Sequence, residues 1–341
     1  MVKRVVIVGG GAAGMQTALE LKSRGIESII VERDIELGGK ARGWHKLFPT
    51  FTPAKEVLNE IINRVKQARI RCFLGQEVKS ISSDGVTLRS EERILADAVV
   101  VATGFTLFDA HRKQEYGYGL YDNVITSVDL ERMMNGGKVT LADGSEPRRI
   151  AILHCVGSRD EKVGQRHCSK VCCITGVKQA IELKQLFPDA EVFNFYMDIR
   201  MFGPGYEELY REAQERYNVH FVRGRISEAA ETLNKRIQIK AEDTLTGRPL
   251  RMTVDMLVLL VGMSANYENG DLAQSAGLSL APNGYFRAQN PFLGAVRSER
   301  EGIFFAGTAT APKSLADTLA EASLTASAVE EYLRNKLPQW E

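Results

Sequence analysis

"KRVVIVGGGAAGMQTALELKSRGIESIIVERD", residues 3–34, changes its residue pattern at each element boundary. Val5 to Val8 form a continuous apolar run suited to a strand buried on both faces. Ala13 to Leu21 carry helix formers, and Ile29 to Val31 supply a second strand. Gly9, Gly11 and Gly14 lie between strand and helix and fit G-x-G-x-x-G in its required setting. The first permits the tight turn, the second lets a pyrophosphate approach the backbone, and the third lets helix pack on strand. Ala12 and Ala13 open the helix, whose unpaired N–H groups and dipole favour an anion. Glu32 closes the second strand about 20 residues on, where an acid takes ribose hydroxyls, and Arg33 follows it. All of these are candidate cofactor contacts.

Composition narrows the rest. The chain has 341 residues, 44% hydrophobic and 26% charged, as expected of a globular protein of roughly two domains. Its 44 Lys and Arg nearly cancel 43 Asp and Glu, so nucleic acid is not an expected partner. No apolar run approaches the ~20 residues of a transmembrane helix. The glycines at 9–11 interrupt the first apolar run before a signal-peptide core is complete, and a cytoplasmic protein is expected. Five cysteines, four of them between Cys155 and Cys173, do not make a spread disulfide framework; a metal or redox site is the better expectation.

Three further stretches bear on which dinucleotide binds. "ELGGKARG" (36–43) offers Gly38 and Gly39 for close backbone approach, with Lys40 beside them. "ADAVVVATGF" (96–105) is a strand ending in Ala102, Thr103 and Gly104. "EGIFFAGTATAPKSLADTLAEA" (301–322) is a strand, a turn at Gly307 and Thr308, and a helix start at Ser314 and Leu315. Together these resemble the two-dinucleotide-binding-domain, thioredoxin-reductase-like flavoproteins. The resemblance implies an α/β fold with a Rossmann-type FAD domain and a second, smaller α/β domain, and FAD as the first cofactor. In relatives the backbone near Val78 lines the adenine. Where many of them hold the ribityl chain with Asp, this chain has Thr308, so that contact is expected to be weaker or made by backbone. Leu315, Leu319, Ala322, Ala326, Val329 and Leu333 form the stripe of an amphipathic helix, and Ser314 with Asp317 forms a capping box. Lys313 is a candidate for the flavin's pyrimidine edge, with a solvent-facing charge as the equal alternative.

"RRIAILHCVGSRD" (148–160) begins another such unit, but no second G-x-G-x-x-G follows. Cys155 stands at the strand end, then come Cys168, Cys172 and Cys173, with a helix expected only after them through Ile174, Val177, Ala180 and Ile181. The pattern C-x12-C-x3-C-C fits a 4Fe-4S cluster, a zinc site, a redox dithiol or structural thiols. Single-ion zinc sites favour paired C-x2–4-C hairpins, which an adjacent pair suits poorly. A dithiol uses only two of the four. A cluster accommodates all four and is the reading adopted. The missing fingerprint argues against the enzyme-class rival, an NAD(P)H-dependent disulfide reductase; the non-enzyme rival is an FAD scaffold with structural zinc.

With "ELGGKA", "CSKVCC", "LVGM" (260–263) and "FFAGTATAPK", the chain resembles the A subunit of heterodisulfide reductase. Within it, the resemblance is to the short form found in the heterodisulfide-reductase-like complexes of sulfur oxidisers. It implies FAD and a 4Fe-4S cluster held by Cys155, Cys168, Cys172 and Cys173. It implies, too, an oxidoreductase that works with other heterodisulfide-reductase-like electron-transfer subunits, in cytoplasmic sulfur oxidation, and a homodimer. No residue is assigned a catalytic role, since the chemistry belongs to the cofactors. Long family members carry C-x2-C-x2-C-x3-C ferredoxin runs, which this sequence lacks. The expected division is 1–115 with 264–341 as the FAD domain and 116–263 as an inserted, cluster-bearing domain. Cys72 reads as a structural thiol. Arg42, Trp44 and His45 read as either a flavin border or a solvated loop, and His154 and His167 adjoin the cysteines as candidates for tuning a cluster.

Overall fold

The structure, a computed structural model, describes residues 3–336. Two units emerge. The first comprises the described part of Met1–Arg42, Lys55–Thr106 and the described part of Ser264–Glu341; the second is Gly43–Ala54 with Leu107–Met263. The divide falls at Thr106 rather than at 115, and the segment after the second glycine pair goes with the inserted unit. Met1, Val2 and residues 337–341 of the expected FAD domain lie outside the described residues.

In the first unit, five parallel strands run in the spatial order Ile303–Phe305, Ala98–Val101, Arg4–Val8, Glu27–Glu32, Arg71–Leu74. The second repeats this with Val124–Thr126, Met256–Val261, Arg149–Val156, Glu191–Tyr196, His220–Arg223. A three-stranded antiparallel sheet precedes the second strand of each order: Val78–Ser82, Gly85–Leu88 and Arg93–Leu95 in one, Ile226–Glu231, Ile237–Asp243 and Arg248–Val254 in the other. The likeness extends to single hydrogen bonds. Asp97 donates its N–H to Arg4 O (2.8 Å) and accepts from Arg4 N (2.9 Å); Asp255 does the same with Arg149, at 2.8 Å each way. Arg4 lies opposite Glu27, and Arg149 opposite Glu191. The central strands are apolar on both faces, since helices cover parallel sheets on both sides, and Val5–Val8 and Ile150–Leu153 are buried.

Each leading strand feeds a helix. Ala12–Ser23 follows three residues after Val8. Cys172–Leu186 follows fifteen residues after Val156, and it begins at the cysteine pair rather than beyond it. Ile174, Val177, Ala180 and Ile181 are buried as the periodicity requires, but so are Lys178, Gln179 and Glu182. The Gly43–Ala54 segment meets those polar groups: Lys178 Nζ donates to Lys46 O (3.0 Å) and bonds Glu131 (2.5 Å), while His45 Nδ1 lies 2.9 Å from Glu182. His45 therefore belongs to a hydrogen-bonded network of the second unit. The helix Leu315–Asn335 starts with the expected capping box between Ser314 and Asp317.

Candidate functional site

The glycine turn of the first unit is shaped by its own backbone. Gly9 has φ +111, and a Cβ there would sit 2.4 Å from Ala102 O. A Cβ on Gly14 would sit 1.9 Å from Gly9 O. Gly11 is different. A Cβ there would meet nothing within 4 Å, so the fold's own packing does not demand glycine at this position. The open space lies at the N-cap of the helix Ala12–Ser23, which has neither a capping side chain nor an acid in its first turn. Unpaired N–H groups beside open space suit an anion.

Around this turn the structure gathers most of the predicted contacts. Glu32, buried, accepts N–H groups from Gly10 (2.5 Å) and Asp34 (2.9 Å). Gly38 N donates to Gly10 O (2.9 Å), and a Cβ on Gly39 would come within 3.2 Å of Gly11 Cα. Ala102 N donates to Val8 O (2.8 Å), and Gly307 packs so closely that its Cβ would lie 2.6 Å from that of Ala13. Thr308 is buried, and its Oγ1 would be 3.8 Å from a Cβ on Gly104. Thr103 is held by two buried amides the sequence reading missed: Asn266 Nδ2 donates to Thr103 O (2.9 Å), and Thr103 Oγ1 bonds Asn269 (3.4 Å).

Other candidates have different occupations. Arg33 pairs with Glu268 (3.1 Å) and bonds the Tyr267 hydroxyl (3.1 Å). Lys40 is exposed, Leu315 half-buried, and the Val78 side chain is core. Lys313 Nζ donates to Gly307 O and Thr310 Oγ1, both at 2.7 Å, and pairs with Glu321 (3.2 Å), so its charge is engaged within the chain.

In the second unit the glycine turn is replaced by a loop bearing the cysteines. The strand Arg149–Val156 slips register against Met256–Val261 between Leu153 and Val156, and there Cys155 adopts φ +61. A non-glycine residue in the left-handed region at a strand irregularity is strained, and such irregularities re-aim side chains. Cys155 is thereby brought to Cys172, in the first turn of the following helix; the four thiols hydrogen-bond around Cys172. Cys155, Cys172 and Cys173 are buried and Cys168 is partly exposed, while Cys72 lies elsewhere on the strand Arg71–Leu74.

The loop is built to hold this shape. Asp160, buried, accepts from Lys113 (2.8 Å) and Arg225 (2.7 Å), and its backbone pairs with Gln165. Ser158 and Ser169, both buried, bond each other through their hydroxyls, and Met263 N donates to Ser169 Oγ (2.8 Å). His167 Nε2 bonds Met263 O (2.8 Å). His154, buried, bonds Asn194 Oδ1 (2.8 Å) through Nε2.

Electrostatics favour thiolates here. Hydrogen bonding from Cys172 holds Cys168 down to about 6, against burial and helped by the Lys170 N–H at 3.3 Å. The same neighbour, again against burial and with His154 assisting, holds Cys173 down to about 4; Cys155 is lowered too. Cys172 is raised well above its ordinary value by its bonds to Cys155, Cys168 and Cys173, and by burial. Burial pulls His154 down, but Cys173 outweighs it and raises the imidazole. The helix N-terminus carrying Cys172 and Cys173 has no capping side chain and no acid in its first turn, which further favours negative sulfur. Among the described residues, no group of three or more His, Cys, Asp or Glu is arranged to hold a metal ion. The sulfurs hydrogen-bond one another instead.

Two matched Rossmann-like units with a vacated second fingerprint define a class. The chain belongs to the pyridine nucleotide-disulphide oxidoreductase family, which it matches over residues 3–327. Its fold is that of thioredoxin reductases: the T. acidophilum enzyme superposes with TM-score 0.67 at 18% identity, covering 97% of this chain and 98% of that one. The Lactococcus lactis enzyme gives 0.68 at 14%, covering 98% and 99%. Among curated proteins it is similar to the iron-sulfur A subunit of the CoB–CoM heterodisulfide reductase of Methanocaldococcus jannaschii, at 34% identity over 96% of this chain. It is likewise similar to the A subunit of the H2/formate:CoB-CoM heterodisulfide,ferredoxin reductase of Methanococcus maripaludis, at 33% over 96%. The chain spans 64% of the length of each. No helix among the described residues is long and apolar enough to cross a membrane.

Proposed function

We propose that this chain is a flavin and iron–sulfur electron-transfer subunit of a heterodisulfide-reductase-like complex. FAD exchanges electrons in pairs or singly and a 4Fe-4S cluster exchanges them singly, so the two would couple two-electron to one-electron chemistry. The single observation that carries the reading is the strained turn at Cys155, which brings a fourth thiol to the three at the loop end and helix start.

The first unit has room for the flavin dinucleotide, and the second brings four sulfur donors of the right chemistry to one loop, though not yet in the arrangement that holds a metal ion. In the first unit, Gly11 leaves room for a pyrophosphate at the N–H groups of the helix Ala12–Ser23, and Gly38 and Gly39 border that room. Glu32 would meet ribose hydroxyls while keeping its bonds to Gly10 and Asp34. Gly104, Gly307 and Thr308 would line the flavin end by backbone, as the missing Asp requires. In the second unit, Cys155, Cys168, Cys172 and Cys173 would hold the cluster, giving up their bonds to one another, with the Lys170 N–H remaining on Cys168 sulfur. Cys172 would release its proton on ligation, because the ligand is the thiolate. Partnership with other heterodisulfide-reductase-like subunits follows from the relatives' being subunits. The homodimer, the cytoplasmic location and the place in sulfur oxidation rest on the family resemblance.

Electron paramagnetic resonance of anaerobically prepared, dithionite-reduced protein tests the reading, with iron, sulfide and flavin counted on the same sample. The expected result is a reduced-cluster signal with about four irons per flavin. Flavin without iron would overturn it. That outcome favours the dithiol reductase, which is supported by a Cys173 thiol held down beside a Cys172 thiol pushed up; bleaching by NADH or NADPH would then follow.

A further inference from the structure

We infer that Glu321 is a proton-exchanging carboxylate beside the flavin, and that with Lys313 it ties flavin reduction to uptake of a proton by the protein. The inference rests on the proposed flavin role and adds a residue, its partner and the sign of a pH dependence. Glu321 lies in the second turn of the helix Leu315–Asn335. Its Oε1 is 3.2 Å from Lys313 Nζ, with only 16% and 14% of the two side chains exposed. The ammonium is also directed elsewhere: Nζ donates to Gly307 O and to Thr310 Oγ1, both at 2.7 Å. Glu321 Oε1, though buried, accepts no hydrogen bond, so attraction across 3.2 Å is left to offset its loss of water. An ionised carboxylate withdrawn from water without directed hydrogen bonds is costly, and taking a proton removes that cost. Burial accordingly raises the Glu321 carboxyl, and Lys313 and the Gly307 N–H offset this only in part.

Among the described residues, the charged groups that bear most on Glu321 are Lys313 and, one turn earlier on its own helix, Asp317, which adds to the rise. The helix Ala12–Ser23 packs alongside, but its charged groups on that side are engaged further along: Ser323 donates to Glu20 (3.2 Å), and the flanking Arg24 pairs with Glu330 (3.2 Å). The strand Ile303–Phe305 and the turn Gly307–Ala309 bring no charged side chain. The place of the pair gives its proton a consequence. Gly307, whose carbonyl holds Lys313 and whose N–H favours the ionised Glu321, is one of the residues proposed to line the flavin. Ionised, Glu321 offsets the Lys313 charge; protonated, it leaves these surroundings one unit more positive. Positive charge beside a flavin favours the reduced, anionic ring. As a donor passes two electrons to the ring, which binds one proton, Glu321 takes a second proton from water onto its carboxylate. Negative charge gained by the ring is thereby met by negative charge lost from the pair.

The test is dye-mediated potentiometry of the purified, flavin-loaded protein, with dithionite as reductant, from acid to alkaline pH. Glu321→Gln imitates the protonated carboxyl. Its flavin is expected to match wild type in acid and to become easier to reduce than wild type as pH rises through the folded Glu321 value. The expected difference is about tenfold in the reduced-to-oxidised ratio at fixed potential, which is about 30 mV for two electrons. Lys313→Met, which removes the charge that protonation uncovers, should be harder to reduce than wild type in acid. Stability supplies a second sign. Because the carboxyl is raised in the folded state, its contribution is complete below the unfolded value of about 4.3 and is lost as pH rises through the folded one. In denaturant, the stability of Glu321→Gln relative to wild type should therefore grow as pH rises, whereas a merely structural ion pair would make it shrink. Potentials of Glu321→Gln and wild type that run parallel at every pH, a Lys313→Met potential equal to wild type in acid, or a shrinking stability difference each overturn the proposal and leave the flavin reading intact. Protein that holds no flavin overturns that reading, and the proposal with it.

Discussion

The two units solve one topological problem twice. In both, a buried parallel strand must turn into a helix that packs back on the sheet, and the flanking Arg, Glu and Asp contacts are nearly superimposable in register. The first unit turns in three residues, using glycine to bring backbone against backbone and leaving space at Gly11. The second takes fifteen, and fills the turn with side chains: a buried carboxylate, a pair of buried hydroxyls and the thiol of Cys168, with the other three thiols at its two ends. A short glycine turn exposes N–H groups to an anionic ligand, whereas the long turn presents sulfur at its ends. One architecture therefore offers two chemistries, according to what its first strand-to-helix turn contains.

If the first turn is as tightly determined as its geometry implies, Gly14→Ala places a methyl inside the Gly9 carbonyl. Loss of about 3 kcal/mol or more in chemical denaturation is expected, together with loss of bound flavin. A variant as stable as wild type would show that this turn has slack.

In the second turn, Asp160→Asn is expected to cost about 2 kcal/mol, less than the 3–5 kcal/mol typical of a broken buried pair, because Lys113 keeps Glu115 at 2.6 Å. The pH dependence has a definite sign. Burial raises the Asp160 carboxyl but Lys113 and Arg225 outweigh it, so its folded value lies below the unfolded one of about 3.9. Its contribution is complete above that value and is lost as pH falls through the lower, folded one. The stability gap between wild type and Asp160→Asn should thus be constant at neutral pH and close only in acid; a gap that closes near pH 6 would contradict this.

Cys155 separates ligand from scaffold. At φ +61 the Cys155→Gly variant should exceed Cys155→Ala in metal-free stability by about 1 kcal/mol, reversing the usual order within a strand. Both should lose iron. The smallest stability effect belongs to Gly11→Ala, expected within about 0.5 kcal/mol of wild type, since its methyl meets nothing of the protein. Its flavin content should nevertheless fall, as measured by the ratio of visible to ultraviolet absorbance. Retained flavin would move the pyrophosphate away from this turn.

The residues legible in advance share a local cause. Gly9, Gly14 and the capping box at Ser314 and Asp317 are dictated by backbone shape within a few positions, so they declare themselves in order along the chain. The cysteines were conspicuous by spacing, but the helix was expected after them, because apolar periodicity begins only at Ile174. Asn266 and Asn269 gave no signal, since their roles lie in bonds to Thr103 across more than 160 positions. The periodicity through Ile174, Val177, Ala180 and Ile181 said nothing of Lys178, Gln179 and Glu182; they are buried, and His45 and Lys46 return to bond Glu182 and Lys178.

From the chain's order of residues came the nucleotide-binding turn, the altered second turn and the identity of the thiols, because each depends on residue type at short range. Folding supplied the rest. It alone could show that a strand irregularity carries Cys155 to Cys172, that Asp160 finds Lys113 and Arg225, and that His45 pairs with Glu182. Those arrangements depend on burial and on charge meeting charge across distant segments, and neither is encoded in the spacing of neighbours.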